Sequence, residues 1–330
     1  MTAHPVRVEV FGRTDVGKAR DHNEDSFIVA DLTTRNASLQ PEVREHDVGR
    51  RGTLFMVADG MGGAAAGEVA SEMATGTVFN HLITQWGNDQ EVSEQRFAYR
   101  LKEAVEIANQ QIHEYAAAHL EVRGMGTTTT AAGVFQGALY LTQIGDSRGY
   151  LVRQGRIAQI TKDQSLMQRL VDAGELTEEE AAVSERRNII LQALGPDPHV
   201  KVDLTRQELR QGDILVMCSD GLSGLVKKEE ILAIVTQATD LVAACKELIE
   251  LANGRGGPDN ITCIVARFGG GLPAPDGSEP LGHQVYPLLD TESTTEPVPV
   301  YKPEDVPGRK TEPTTRKTDP GTHKKKWWRL

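Results

Sequence analysis

Five aspartates in this sequence share a context that ordinary surface acids lack. Leu54-Phe-Met-Val-Ala-Asp59-Gly60-Met61-Gly62-Gly63 is an apolar, β-type run that ends in an acid followed by glycines. Leu215-Val-Met-Cys-Ser-Asp220-Gly221 repeats the pattern, and Leu141-Thr-Gln-Ile-Gly145-Asp146-Ser147 is a looser copy. Asp25 and Asp259 stand at the opposite end of such runs, just before Ser26-Phe-Ile-Val-Ala30 and Ile261-Thr-Cys-Ile-Val-Ala266. A buried strand that ends in Asp delivers a carboxylate to the rim of a sheet, and a glycine after it permits a tight turn that exposes a carbonyl. In an antiparallel sheet the start of one strand lies beside the end of its neighbour. The pattern therefore predicts that Asp25, Asp59, Asp220 and Asp259 meet at one edge. Carboxylates that close repel strongly unless cations lie between them. Hard divalent ions held by oxygen and water, Mg²⁺ or Mn²⁺, suit that donor set. Two such ions can lower the pKa of a shared water toward ~7 and so make a nucleophile for an in-line attack on phosphorus.

The elements that must position these acids follow from the apolar periodicity. Val6–Val10 alternates as a strand, and a polar loop over 15–25 leads into the strand after Asp25. Residues 31–51 read as a surface excursion. After the run ending at Asp59, a helix presents Val69, Met73, Val78, Phe79, Leu82 and Ile83 on one face. A second helix over 93–119 has Ser93 as its cap and a stripe from Phe97 to Tyr115. Four strands follow at about 127–135, 138–144, 148–153 and 156–160, with hairpin turns at Gln136-Gly137 and Gln154-Gly155. Residues 163–195 interrupt this rhythm with two short helices, one over Ser165–Ala173 and one opened by a Thr177/Glu180 capping box. Strands at 199–208 and 213–218, helices at 227–237 and 239–253, and a strand at 260–268 complete the order. That order is not the alternation of a doubly wound sheet. It predicts an α+β fold of two packed antiparallel sheets with a helix pair on each outer side.

Composition limits the partners. Ten of the 15 prolines lie after residue 270, and nine acidic residues there offset nine basic ones. Residues 1–269 therefore read as one globular domain carrying the whole net charge of −11, and 270–330 as a disordered tail. A domain that acidic is a poor nucleic-acid binder but suits metal ions and basic peptides. Cys218, Cys245 and Cys263 have neither zinc nor disulfide spacing and read as buried thiols. No Cys is followed six positions later by Arg, which excludes a thiolate route to phosphate esters. With no signal-peptide pattern and no apolar run near the ~18 residues of a membrane span, the expected location is cytoplasmic. The last residues, His323-Lys-Lys-Lys-Trp-Trp-Arg-Leu330, combine cations with two tryptophans. They read either as a frayed end or as a weak peripheral docking segment for a membrane or a partner.

The motifs occur in a recognisable order: Arg20-x-x-Asn23-Glu24-Asp25-Ser26, Val57-Ala58-Asp59-Gly60-Met61-Gly62-Gly63, Gly126-Thr-Thr128, Gly145-Asp146-Ser147-Arg148, Ser219-Asp220-Gly221 and Asp259-Asn260-Ile261-Thr262. Over about residues 8–268 the chain resembles the bacterial metal-dependent serine/threonine phosphatases of the PPM (type-2C) family. The resemblance implies a four-layer αββα sandwich with two Mn²⁺ or Mg²⁺ ions. It implies that Asp59 bridges them, with the Gly60 carbonyl adding an oxygen. Asp220 and Asp259 would complete one ion's shell, and Asp25 with Glu24 would order waters of the other. Asp146 with Asp220 would serve a third, weaker ion. Arg20 would hold the substrate phosphate, Asn260 would steady the loop bearing Asp259, and 163–195 would be a flap. The implied partners are phosphorylated proteins and a Ser/Thr kinase whose action is reversed; separately from the resemblance, the protein is expected to be a monomer. Met61 and Gln164 stand where relatives often carry His, so neither is assigned a catalytic role.

Blander readings compete with each residue. Most Asp-Gly pairs are only turns, and Asp146 at a hairpin end can bond its own turn. Arg20 alone would be a solvated cation. Gly60-x-Gly62-x-x-Ala65 imitates a dinucleotide-binding turn, but Asp59 would repel a pyrophosphate there and no βαβ unit follows. Two other functions fit the same residues: a non-catalytic phosphoprotein-binding domain, and a hydrolase of small phosphate esters.

Overall fold

The structure, a computed structural model, describes residues 4–38, 45–63 and 66–288. The strands are β1 (Val6–Asp15), β2 (Asp25–Asp31), β3 (Asn36–Ser38), β4 (Glu45–Asp47), β5 (Thr53–Met61), β6 (Gly126–Thr127), β7 (Thr129–Phe135), β8 (Ala138–Ile144), β9 (Arg148–Arg153), β10 (Arg156–Gln159), β11 (Asp203–Glu208), β12 (Ile214–Cys218) and β13 (Ile261–Gly270). The α-helices are α1 (Ala66–Thr84), α2 (Glu94–Ala118), α3 (Leu166–Asp172), α4 (Glu178–Val183), α5 (Asp220–Ser223), α6 (Lys228–Gln237) and α7 (Leu241–Gly254).

Two antiparallel sheets form. One has the order β10-β9-β12-β13-β1-β4, and the other β11-β8-β7-β5-β2-β3 with β6 added to the end of β5. Both sheets are covered on both faces, which is why their central strands are apolar without a break. In β5, Phe55 and Val57 point between the sheets while Leu54, Met56 and Ala58 meet α1 and α2. In β12, Leu215 and Met217 face inward while Ile214, Val216 and Cys218 meet α6 and α7. The layers are therefore helix pair, sheet, sheet, helix pair, as the order of elements predicts. The hairpin turns are also as read: Gln136-Gly137 and Gln154-Gly155 all have positive φ, the conformation of a type I′ turn. Ser93 caps α2 by accepting from the Arg96 N–H, and Thr177 with Glu180 forms the capping box of α4.

The folded unit does not end at 269. Leu272 is buried in the core between the sheets, and the Gln211 N–H donates to Pro273 O. Further on, the Arg206 N–H donates to Gln284 O and the Tyr286 N–H to Leu204 O, so this segment pairs with the outer edge of β11. An unpaired edge offers a row of backbone donors and acceptors, and a Pro-rich segment can cover it over a few residues. The 269/270 boundary is corrected accordingly for residues 271–288. The remainder of the expected tail, with the basic-aromatic end 323–330, lies outside the described residues.

Candidate metal centre

The acids are delivered in pairs, one pair per sheet. β2 and β5 are antiparallel neighbours, and their register sets Asp25 directly opposite Asp59. β12 and β13 pair with Cys218 opposite Cys263, so Asp220 just after one strand and Asp259 just before the other flank the same end. Asp146 lies in the crossing from β8 of one sheet to β9 of the other. The expectation of one sheet edge is thus corrected: the acids line a seam where the corresponding ends of two sheets face each other. Adjacency within a sheet follows from sequence pattern, whereas apposition of two sheets depends on how their cores pack.

Asp25, Asp59, Asp146 and Asp220 are each raised by burial and by at least one neighbouring acid. Asp59 is pushed well above the usual carboxylate range by burial first and then by Asp25, Asp220, Asp146 and Asp259. Burial also raises Asp25 to about 7, against hydrogen bonds from Thr262 and Ser219 and with help from Asp220 and Asp259. Asp146 is pushed to about 7 by burial, Asp220 and Asp163, with Arg148 opposing. Asp220 is raised by burial and Asp259, opposed by a hydrogen bond it shares with Asp59. Burial likewise raises Glu24, with Arg20 opposing and Asp259 and Glu68 adding to it.

Glycine positions answer to space here. The expected turn comes two residues later than Gly60, at Gly62 and Gly63 with positive φ, because β5 runs on through Met61. A Cβ on Gly60 would lie 2.3 Å from Gly67 O and 2.5 Å from Glu24 O, and one on Gly221 would lie 2.0 Å from Asn260 O. Both glycines let backbone approach backbone so that the acids before them converge.

Arg20 and Asn260 hold the loop over 15–25 to the β13 end. Arg20 Nη2 donates to Asp259 Oδ2 at 2.9 Å, and this pair raises the Arg20 pKa. Arg20 is therefore bound to a rim acid, with its side chain 48% exposed. Asn260 Oδ1 accepts from the Glu24 N–H at 2.8 Å, while its Nδ2 donates to Val16 O and His22 O at 3.0 and 2.9 Å. Asn260 so ties the Glu24-Asp25 entry to Asp259, a wider role than steadying its own loop.

Gln164, assigned no catalytic role from the sequence, has a structural one. Its backbone N–H donates to Gly145 O at 2.8 Å and its Oε1 accepts from the Gly145 N–H at 3.1 Å, clamping the turn before Asp146. The same oxygen accepts from Gln192 Nε2 at 2.9 Å, so the return limb of the 163–195 segment is tied to that turn. Burial leaves Cys218 pushed up to about 12, which suits a core thiol and not a nucleophile.

The donor set fits hard divalent cations. All donors are oxygens, the acids carry no internal cation but Arg20 and Arg148, and Asp25 Oδ1 and Asp146 Oδ1 are buried without a hydrogen-bond partner. Among the described residues no three His, Cys, Asp or Glu side chains are already closed around a point an ion would occupy. The acids converge, but Arg20, Ser219 and Thr262 hold some of their oxygens.

This chain matches the family described as Protein phosphatase 2C over residues 34–254. It is 36% identical over 254 residues to the serine/threonine phosphatase stp of Listeria monocytogenes, covering 77% of this chain and 93% of that protein. It is 40% identical to the serine/threonine protein phosphatase PstP of Mycobacterium tuberculosis, covering 77% of this chain and 44% of that longer protein. The solved catalytic domain of a PstP phosphatase in complex with two manganese ions superposes with a TM-score of 0.65 at 37% identity, covering 80% of this chain and 99% of that one. The chain belongs to the protein phosphatase 2C family.

Proposed function

We propose that this protein hydrolyses phosphoserine and phosphothreonine on proteins, reversing a Ser/Thr kinase, with Mn²⁺ or Mg²⁺ held at the seam. One observation carries the reading: aspartates from two sheets converge at the seam, and Asp25, Asp59, Asp146 and Asp220 are each pushed up by burial and then by neighbouring acids. A fold that keeps such repulsion needs it for cations. Asp25, Asp59, Asp220 and Asp259 and the Gly60 carbonyl are the proposed donors for two ions, with Asp146 serving a third, weaker one. When bound, such ions supply a water acidic enough to attack phosphorus at neutral pH and charge to neutralise the phosphoryl oxygens. Arg20, which donates to Asp259 in this structure, would hold the substrate phosphate with its planar fork, and Asp259 would then be free to hold an ion. Glu24 orders water beside Asp25, and Asn260 keeps the two ends of the loop in place. The 163–195 segment, with exposed Val183, Ile189 and Leu191 beside Arg186 and Arg187, is the proposed surface for the peptide around the phosphate.

Signalling in the cytoplasm as a monomer belongs to the same proposal. Among the described residues no helix is long and apolar enough to cross a membrane. Docking through 323–330 to an anionic surface or a partner is part of the proposal and is tested by vesicle co-sedimentation with and without those residues. The central experiment measures phosphate release from a phosphothreonine peptide and from p-nitrophenyl phosphate, with Mn²⁺ and after exhaustive chelation. The reading expects metal-dependent turnover of both. Turnover of the small ester alone points to a small-ester hydrolase. No turnover of either, with peptide still bound, points to a phosphoprotein-binding domain.

A further inference from the structure

The Asp25 carboxylate is held on one side only, and the groups that hold it come from the opposite sheet. Ser219 Oγ donates to Asp25 Oδ2 at 2.8 Å, and Thr262 Oγ1 donates to the same oxygen at 2.6 Å. Ser219 follows β12 and Thr262 lies in β13, both in the sheet that bears Asp220 and Asp259. Asp25 begins β2 in the sheet that bears Asp59. Both hydroxyl residues are fully buried, and the other Asp25 oxygen, Oδ1, has no partner.

The direction of each proton can be traced. An ionised carboxylate only accepts, so the Thr262 hydroxyl spends its single proton on Asp25. Thr14 Oγ1, 2.7 Å from Thr262 Oγ1, must then donate to it. Thr14 in turn accepts from Asn23 Nδ2 at 2.7 Å, and Asn23 Oδ1 accepts from the Asp25 N–H at 3.1 Å. Ser219 Oγ, its proton also spent on Asp25, accepts from the Thr262 N–H at 3.0 Å. The result is a closed ring through Asp25, Asn23, Thr14 and Thr262, with Ser219 as a second donor at its end. Every donor in it is oriented by the group behind it.

We infer that Ser219 and Thr262 are positioning residues for divalent-metal binding, with Thr14 acting through Thr262. They fix the rotation of the Asp25 carboxylate so that Oδ1 alone is left without a hydrogen bond, free for an ion. They also set the spacing across the seam, because the clamp joins the sheet carrying Asp25 and Asp59 to the strand ends carrying Asp220 and Asp259. Groups that orient a ligand in this way typically change metal affinity by 10–100-fold when lost. The inference rests on the metal-centre reading above.

The test is Mn²⁺ titration by isothermal calorimetry of the full chain, with circular dichroism as the check of fold. Thr262→Val keeps the shape and removes the hydroxyl. The expected result is Mn²⁺ affinity at one of two sites lowered by about 10–100-fold, with Thr262→Ser near the parent value. Ser219→Ala gives a second, independent reading and carries the comparison should Thr262→Val fail to fold. Thr14→Val alone should weaken Mn²⁺ by a smaller factor and should add nothing in a Thr262→Val background. Unchanged affinity in folded Thr262→Val and Ser219→Ala overturns the inference, as does a Thr14→Val effect that adds in full to that of Thr262→Val. If the parent chain binds no Mn²⁺ at all, the metal-centre reading itself falls, an outcome distinct from parent binding that the variants leave intact.

Discussion

Two buried acidic regions of this molecule differ in what the chain supplies to neutralise them. Between α1 and α2, Asp89 accepts from both Arg96 and Arg100, and Glu103 accepts from Arg100 and His81. Burial pushes Glu103 up, but hydrogen bonds from His81 and Arg100 outweigh it and hold it at about 2. Asp89 is lowered by the same balance. At the seam, burial pushes Asp25 and Asp146 up to about 7, and the acids beside them add to the rise where no arginine hydrogen-bonds them to reverse it. One region is closed by its own arginines and serves the packing of two helices. At the seam Arg20 and Arg148 oppose the rise only in part, and Asp25, Asp59, Asp146 and Asp220 stay raised, which is the contrast the metal-centre proposal rests on.

The largest expected effect comes from removing a seam acid. Asp59→Asn should lower phosphopeptide turnover by more than about a hundredfold, since even the outer partners of such ions cost 10–100-fold. The metal-free protein should not be destabilised. Losing one like-charge contact is worth on the order of 1 kcal/mol, a gain of about 2–4 °C in Tm. A metal-free Asp59→Asn that melts well below the parent would place Asp59 with the structural acids and dissolve the contrast.

Breaking the closed region should give the opposite pattern. Arg100→Met leaves Asp89 and Glu103 short of a buried partner and should cost about 3 kcal/mol, a fall of about 6–12 °C in Tm. Turnover per folded molecule should stay at the parent level. A loss of kcat without a fall in Tm would mean that the α1–α2 network reaches the seam.

Stability against pH should separate the two regions in sign. Asp25 and Asp146 have folded pKa values of about 7 against an ordinary 3.8, so the folded state holds protons that the unfolded chain has lost. Their contribution is fully present below about pH 4 and is lost as pH rises through about 7. Glu103, held at about 2 against an ordinary 4.5, contributes above pH 4.5 and loses that contribution as pH falls toward 2. In EDTA, Tm should therefore decline between pH 5 and 8, and saturating Mn²⁺ should abolish the decline. A Tm in EDTA that rises over that range contradicts the raised seam acids.

How much of this contrast the sequence carried can be judged residue by residue. The seam acids were legible because each sits at one end of an apolar run, with a glycine beside Asp59, Asp146 and Asp220. Their pairing within a sheet followed from antiparallel order, and Asp25 does lie opposite Asp59. That the pairs come from two sheets was not legible, since inter-sheet packing has no local signature. The Ser219 and Thr262 hydroxyls were part of the quoted motifs, yet their shared target lies 194 and 237 positions away. The edge-covering segment after 270 was hidden by its prolines, which remove the period-2 signal that marks a strand.

Asp146 tests the contrast at its weakest point. Its turn is held by neutral amides: Gln164 bonds both polar groups of Gly145, and Gln143 Nε2 donates to Gly145 O and Ser147 O at 3.0 and 2.8 Å. Arg148, bound to Asp163 at 2.7 Å, also opposes the rise of Asp146. This acid stands between the two regions in character, with seam neighbours on one side and a cation on the other. Gln164→Ala keeps the backbone bond to Gly145 O but removes the side-chain bonds to Gly145, Gln143 and Gln192. The expected result is a fall of about threefold to tenfold in phosphopeptide kcat, smaller than a typical loss of an orienting partner because one bond survives. Calorimetric Mn²⁺ affinity at the two tight sites should not change, since Asp25, Asp59, Asp220 and Asp259 make no bond to Gln164. Because Gln164 also ties the 163–195 segment to the turn, the peptide should be affected more than p-nitrophenyl phosphate. An equal loss on both substrates would confine Gln164 to placing Asp146, and weakened tight-site Mn²⁺ would show that Asp146 belongs fully with the other four.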